Sequence, residues 1–196
     1  IHYDSFATFT DGVTQEDVDT LEGDLSADGH IDDFLLNCGY SDDVKSSEDT
    51  ETAEYVIVDD KNAFKDYVTL RTRRKHNDVV LGDSGVVITE KLSKDLGVKK
   101  GDKITVTSSA GKHAEAVVSG ITEMYVNHYV YISTEYYNEL FGNIPEHNRV
   151  LIKISGDVNE TESYMGDEYL SRDYIKGVSF LNANVTRFEN MIQSLD

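Results

Sequence analysis

Between Gly85 and Ile121 the chain carries start and stop signals in an order that leaves few ways to fold. Gly85-Val86-Val87-Ile88 is a short β-branched run and predicts a strand. Thr89 stands where a helix N-cap belongs, Leu92 and Leu96 lie one turn apart, and Gly97 supplies the left-handed stop. Val98 folds back on that helix end. Lys100-Gly101-Asp102 turns the chain into a strand where Ile104 and Val106 alternate with polar residues; after Gly111, Ala114 to Ile121 returns as its partner. Strand, helix and β-hairpin follow one another without a break.

The flanks read less sharply. Ile1 to Thr10 predicts a strand, and Thr14 an N-cap before a helix carrying Val18 and Leu21. Ile31, Phe34 and Leu35 share a helical face, so Asp24 to Gly39 is expected to be a loop and short helix. Ser41 to Thr52, dense in Asp, Glu, Ser and Thr, is expected to be a solvated loop or edge strand; Glu54 to Asp59 reads as a buried strand. Asn62 to Leu70 predicts a helix with Phe64, Tyr67 and Val68 facing inward. Tyr129 to Ile132 is a strand, Ser133 or Thr134 caps a helix through Tyr137 and Leu140, and Gly142 ends it. Arg149 to Ile154 is extended, Glu160 to Arg172 helical, and Val178 to Leu181 extended. Asn184 to Leu195 carries Val185, Phe188, Ile192 and Leu195 on one stripe, an amphipathic helix. Strands and helices do not alternate strictly, so the expected class is α+β: mixed small sheets with packed helices.

Charge narrows the function. Lys and Arg number 18 against 37 Asp and Glu, a formal charge of -19, which repels phosphate backbones and disfavours nucleic acid as a partner. Anionic lipid surfaces are disfavoured for the same reason. Cys38 is the single cysteine, so no internal disulfide forms, and no run reaches the roughly 20 apolar residues of a membrane span. With Ile at position 1, the chain is expected to be a piece of a longer protein.

Local motifs carry little chemistry. Asp24-Leu-Ser-Ala-Asp28-Gly29-His-Ile31 copies the first eight positions of a calcium loop, but Leu35 stands where the clamping acid belongs. A turn before a short helix yields the same letters. Gly82-Asp83-Ser84-Gly85 has the letters around a protease serine, without the rest of a triad in context, and reads as a turn. His30, His76, His113 and His147 fall in expected turns, and no paired His or Cys spacing accompanies His128. No phosphate-cradling glycine loop occurs. No catalytic residue, metal or cofactor is expected. Arg71, Arg73, Arg74 and Lys75 cluster in an acidic chain; they either pair with acidic loops or face an anionic partner. Tyr125, Tyr129, Tyr131, Tyr136 and Tyr137 crowd one stretch, as packing or as a peptide-contact surface. The candidate partner surface is Arg71, Arg73, Arg74, Lys75, Tyr125, His128 and Tyr129.

Leu70-Arg71-Thr-Arg73, then Gly85 to Thr89, Leu92, Leu96-Gly97-Val98 and Gly101-Asp102-Lys-Ile104, resemble the extracytoplasmic domain of FtsX-like permeases, the membrane subunits of MacB-type ABC systems. The resemblance continues through Val118-Ser-Gly120-Ile121, Met124 to Tyr131, Ser133 to Tyr137 and Leu140-Phe141-Gly142, and is similar to blocks in large permeases of Firmicutes. It covers about residues 55–155 and is weak over the first fifty. Met124 departs from it, since the large permeases often carry Asn there.

The resemblance implies a non-catalytic extracytoplasmic module of two lobes with a MacB periplasmic-core-like fold, cut from between two transmembrane helices. The membrane-proximal lobe is expected over about 1–60 plus 150–196, and an inserted lobe over about 61–149. It implies a separate cytoplasmic ATP-binding subunit, a permease dimer in the full complex, and an unknown extracellular substrate or protein. Mechanotransmission or export of a lipid, peptide or lipoprotein-type substrate would be the task. Two alternatives stand beside it. One is a peptide-sensing ectodomain without transport, its acidic face attracting cationic peptides. The other is an enzyme on a small β-barrel of the double-psi type, which the Gly97 to Val106 turn and strand also fits.

Overall fold

The structure, a computed structural model, describes residues 1–124 and 126–181. β1 (Ser5–Phe9) and α1 (Gln15–Ala27) lead into the long β2 (Ile31–Lys45) and β3 (Thr50–Val58). After the single turn α2 (Lys61–Phe64) come β4 (Val86–Thr89), α3 (Glu90–Leu96), β5 (Lys103–Thr107) and β6 (His113–Thr122). β7 (Tyr129–Ser133), α4 (Thr134–Phe141), β8 (Arg149–Ile154), α5 (Val158–Met165), a π-helical turn (Gly166–Leu170) and β9 (Ile175–Phe180) complete the described residues. The expected α+β class is what the structure shows, and the strand–helix–hairpin reading of Gly85 to Ile121 holds element by element.

β2 organises everything. Its first half, Ile31 to Asn37, pairs antiparallel with β8, and β8, β1 and β9 extend a four-stranded antiparallel sheet. Its second half, Cys38 to Lys45, pairs with β3. From there the pairings run β3–β7, β7–β4, β4–β6 and β6–β5, and return to β2 through Lys45 and Thr105. Six strands therefore close on themselves as a small barrel with two parallel pairings, β3–β7 and β4–β6. A closed ring leaves no free edge.

Burial explains the sequence pattern. Tyr55 and Ile57 of β3 fill the barrel interior with Val86, Ile88, Leu92, Ile104, Val130 and Ile132. Their neighbours Val56, Val58, Val87 and Tyr131 point outward into a second cluster with Tyr3, Phe64 and Tyr67. Both faces of these strands are covered, so they read as unbroken apolar runs. A third cluster packs α1 and α5 on the four-stranded sheet through Leu21, Leu25, Met165 and Tyr169.

Two expectations are corrected and a third is resolved between its alternatives. The loop and short helix over Asp24 to Gly39 is instead the end of α1 and the start of β2. Phe34 and Leu36 face one cluster and Leu35 the opposite one, so the strand period governs and the helical spacing of Ile31, Phe34 and Leu35 is coincidental. The calcium-like letters fall with it, because Asp24 and Ser26 sit inside α1 and Leu35 inside β2. Of the solvated loop or edge strand expected over Ser41 to Thr52, the structure has two strand ends joined by a loop at 46–49, the outer part of the β2–β3 hairpin; Val44 and Ala53 face the barrel interior. The helix expected over Asn62 to Leu70 shrinks to α2, although Phe64, Tyr67 and Val68 are all buried. The amphipathic stretch Asn184 to Leu195 lies outside the described residues.

Gly97 ends α3 in the left-handed region at φ 68°, where a side chain is strained. Gly85 is constrained by space: a Cβ there would lie 2.5 Å from Ser119 Cβ and 3.0 Å from the Val117 carbonyl oxygen. Gly85→Ala is therefore expected to destabilise by about 1–3 kcal/mol through forced separation of β4 and β6. An unchanged urea midpoint would show that the pair yields freely.

Candidate functional site

Those predicted contact residues that the structure describes lie at one end of the barrel, where β4 and β6 finish and β3 and β7 begin. Arg71 enters this corner through its backbone. Its N–H donates to Thr122 Oγ1 at 3.0 Å, and its carbonyl accepts from Glu123 N at 2.8 Å. A bridge from Arg71 to Asp78 closes a tight loop, in which the Thr72 carbonyl and hydroxyl accept from His76 N and Asn77 N. His76 sits at φ 52° in that loop. Arg74 and Lys75 are exposed at its tip.

Two members of the basic cluster are paired with acids and two are exposed. Arg71 Nε donates to Glu123 Oε1 at 2.5 Å, and Arg73 Nε lies 3.5 Å from Glu90 Oε1. Those two cations are matched within the fold. Arg74 and Lys75 project into solvent.

α3 forms the wall of the corner. Thr89 takes the N-cap position, but its hydroxyl donates to the Asn127 carbonyl at 3.0 Å and accepts from Tyr129 N at 3.1 Å. The expected cap thus holds the lead-in to β7. Glu90, Lys91, Lys94 and Asp95, with Met124, line a shallow cleft of about 170 Å³. Tyr129 stacks on Tyr131 with centroids 5.7 Å apart. Tyr125 lies outside the described residues.

His128 is held on both sides. Nε2 is 2.8 Å from Asp95 Oδ2, and Nδ1 is 3.1 Å from the Thr52 carbonyl oxygen. Glu51 Oε2 lies 3.8 Å from Nδ1, and Lys91 Nζ lies 3.2 Å from Asp95 Oδ2. The hydrogen bond from His128, helped by Lys91, holds the Asp95 carboxyl below the usual range. Among the described residues, Glu51, Asp95 and His128 are the one group of three side chains placed to share a metal ion. Sequence reading missed it because the three residues are remote along the chain and no local spacing signals them.

A second concavity was equally silent in sequence. A groove of about 610 Å³ runs between the start of α1 and the loop before β8, floored by Val18, Leu36, Cys38 and Ile57. Asp59 and His147 pair across its rim at 2.6 Å. Their hydrogen bond pulls the Asp59 carboxyl down and pushes the His147 imidazole up from 6.5. Burial pushes the Cys38 thiol up to about 11, which makes it a poor nucleophile. Ser84 is exposed in the turn before β4, while its neighbour Asp83 holds Lys61. The corner and the groove offer ion pairing and an apolar floor.

No protein-family model and no curated protein matches the chain. Among solved structures it is similar to the extracellular domain of the noncanonic ABC-type transporter YknZ from Gram-positive bacteria. That likeness has 13% identity over 92% of this chain and 99% of the other, with a TM-score of 0.48. It is also similar to the periplasmic region of MacB from Actinobacillus actinomycetemcomitans, at 15% identity over 98% of this chain and 94% of the other, with a TM-score of 0.46.

Proposed function

We propose that this chain is the extracytoplasmic domain of an ABC-transporter permease, non-catalytic in itself, that passes motion from a membrane-embedded part to an extracellular substrate or protein. One observation carries the reading. The blocks that resemble FtsX-like permeases occur in their order, and those from β4 to α4 supply four of the six barrel strands. ATP would be hydrolysed by a separate cytoplasmic subunit, and the permease would act as a dimer. The substrate class would be a lipid, peptide or lipoprotein.

The architecture suits transmission of force. We assign the membrane-facing lobe to the part built from the two chain ends, about 1–60 with 150–196, and the outer lobe to about 61–149; the β2–β3 hairpin, within the first range, reaches across and completes the barrel of the second. β2 belongs to both the four-stranded sheet and the barrel, so displacement of one drags the other through a continuous strand. A second reading, a ligand-sensing domain, draws on the groove with its apolar floor and its Asp59 and Glu146 carboxylates. Affinity for cationic peptides that falls with salt would favour it.

The placement is testable in the full-length parent protein. Lys112 is exposed in the β5–β6 turn, whereas Cys38 is only 3% exposed. In a parent protein whose cysteines outside this chain have been replaced, a membrane-impermeant maleimide is expected to label Lys112→Cys in intact cells and to leave the protein without that substitution unlabelled. Labelling only after permeabilisation would overturn the extracytoplasmic assignment. Coding sequence with polar residues on both sides, in place of spans of roughly 20 apolar residues, would overturn it as well.

A further inference from the structure

We propose that Glu51, Asp95 and His128 form a binding site for a divalent transition-metal ion of the zinc class. The three side chains come from the start of β3, the last turn of α3 and the residue before β7. Their ligand atoms lie within 4.8 Å of one another. The 2.8 Å between His128 Nε2 and Asp95 Oδ2 is a hydrogen-bond distance; adjacent donors around a tetrahedral ion bound at about 2.0–2.2 Å stand roughly 3.3–3.6 Å apart, so these two side chains must part by about half an ångström to admit one.

The outer nitrogen sets the tautomer. Nδ1 faces the Thr52 carbonyl at 3.1 Å, and a carbonyl only accepts, so Nδ1 carries the hydrogen of the neutral ring. The lone pair then sits on Nε2 and points at a carboxylate oxygen. Metal-bound imidazoles are oriented in this way, with one nitrogen on a backbone carbonyl and the other toward the ion. A neutral ring facing Asp95 in this geometry sets two lone pairs against each other; a proton on Nε2, which makes the hydrogen bond to Asp95, removes the conflict, and a metal ion in its place would do the same. Glu51 is partly exposed on a long side chain and can swing in as the third ligand.

The donor set selects the ion. Imidazole with two carboxylates suits zinc, cobalt or nickel, whereas calcium and magnesium prefer oxygen alone. A chain of charge -19 raises the local concentration of any cation. Lys91 acts as a built-in competitor, because its ammonium lies 3.2 Å from the same Asp95 oxygen. An ion bound here would fasten α3 to β3 and to the lead-in of β7, so binding would raise thermal stability.

The test is a calorimetric titration of the metal-stripped chain with zinc chloride, paired with thermal melts and a calcium chloride control. One saturable zinc site is expected, with no matching calcium site and a melting temperature that rises with zinc. His128→Gln and Asp95→Asn should each weaken binding by about tenfold or more, His113→Gln should leave it unchanged, and Lys91→Ala should tighten it several-fold. Lys91→Ala changes a partly exposed side chain and keeps the test open should His128→Gln fail to fold. Absence of saturable zinc binding would overturn the proposal. So would equal affinity in His128→Gln, which would assign the uptake to scattered carboxylates, or unchanged affinity in Lys91→Ala.

Discussion

Tyr55→Ala is expected to lower the unfolding free energy by about 4 kcal/mol, the cost of emptying a fully buried aromatic site. Tyr55 lies inside the barrel at 0% exposure, stacked on Tyr40 with centroids 5.0 Å apart. Its hydroxyl works at the seam. It donates to the Asp43 carbonyl at 2.6 Å and accepts from Thr107 N at 3.0 Å, joining β2, β3 and β5 where the ring closes. The β2–β5 register itself consists of Lys45 opposite Thr105, so side chains must supply the rest of the closure. Thr107 Oγ1 also donates to the Asp43 carbonyl at 2.7 Å, and Tyr40 OH donates to the Thr107 carbonyl at 2.8 Å. Tyr55→Phe keeps the packing and leaves Thr107 N–H buried without its acceptor, an expected loss of about 1–2 kcal/mol. Urea unfolding of the two variants separates the terms. Equal stability of wild type and Tyr55→Phe would mean that the seam does not depend on this hydroxyl.

The same tyrosines show how far the sequence could be read. The crowd at Tyr129 to Tyr137 was open between packing and a contact surface. Tyr136 and Tyr137 are buried in the barrel cluster, and their hydroxyls accept from Val117 N and Ser109 N. A phenol fills space and also satisfies a strand N–H near the rim, which a leucine cannot do. Elements with strong local signals, such as β4, α3 and the β5–β6 hairpin, were legible because cap, period and turn agreed. β2 was not. It runs for 15 residues through two sheets, and its pattern changes halfway as its partner changes from β8 to β3. Barrel closure was invisible for a related reason, since it depends on pairings between residues far apart in sequence. The corner was half legible: Arg71, Arg73 and His128 stood out by residue type, but Glu90, Glu123 and Asp95 were lost among 37 acids.

Asp28 is the residue for which the correction of a motif makes a sharp prediction. Asp28→Asn is expected to cost about 2 kcal/mol at neutral pH, and Asp28→Ala about 3 kcal/mol, because a desolvated carboxylate here gathers charge-assisted hydrogen bonds. Its side chain is 7% exposed. It accepts from Tyr169 OH at 2.5 Å, Tyr164 OH at 2.8 Å and His30 N at 2.9 Å, and His30 Nδ1 lies 3.0 Å away. Burial alone would raise its pKa, but the bonds from Tyr169, the His30 backbone and Tyr164 outweigh it and hold the carboxyl at about 2. A folded value below the ordinary 3.8 means that the stabilisation is present above 3.8 and is lost as pH falls toward about 2. The difference between wild type and Asp28→Asn should therefore be constant from pH 7 to 5 and shrink steadily below pH 4, as urea midpoints would show. Calcium chloride should shift neither melting curve through this residue, since the tyrosines and the turn already occupy the oxygens that a calcium loop would need. A pH-independent difference would locate the cost of the substitution in packing of α1 against α5, with the charge contributing nothing.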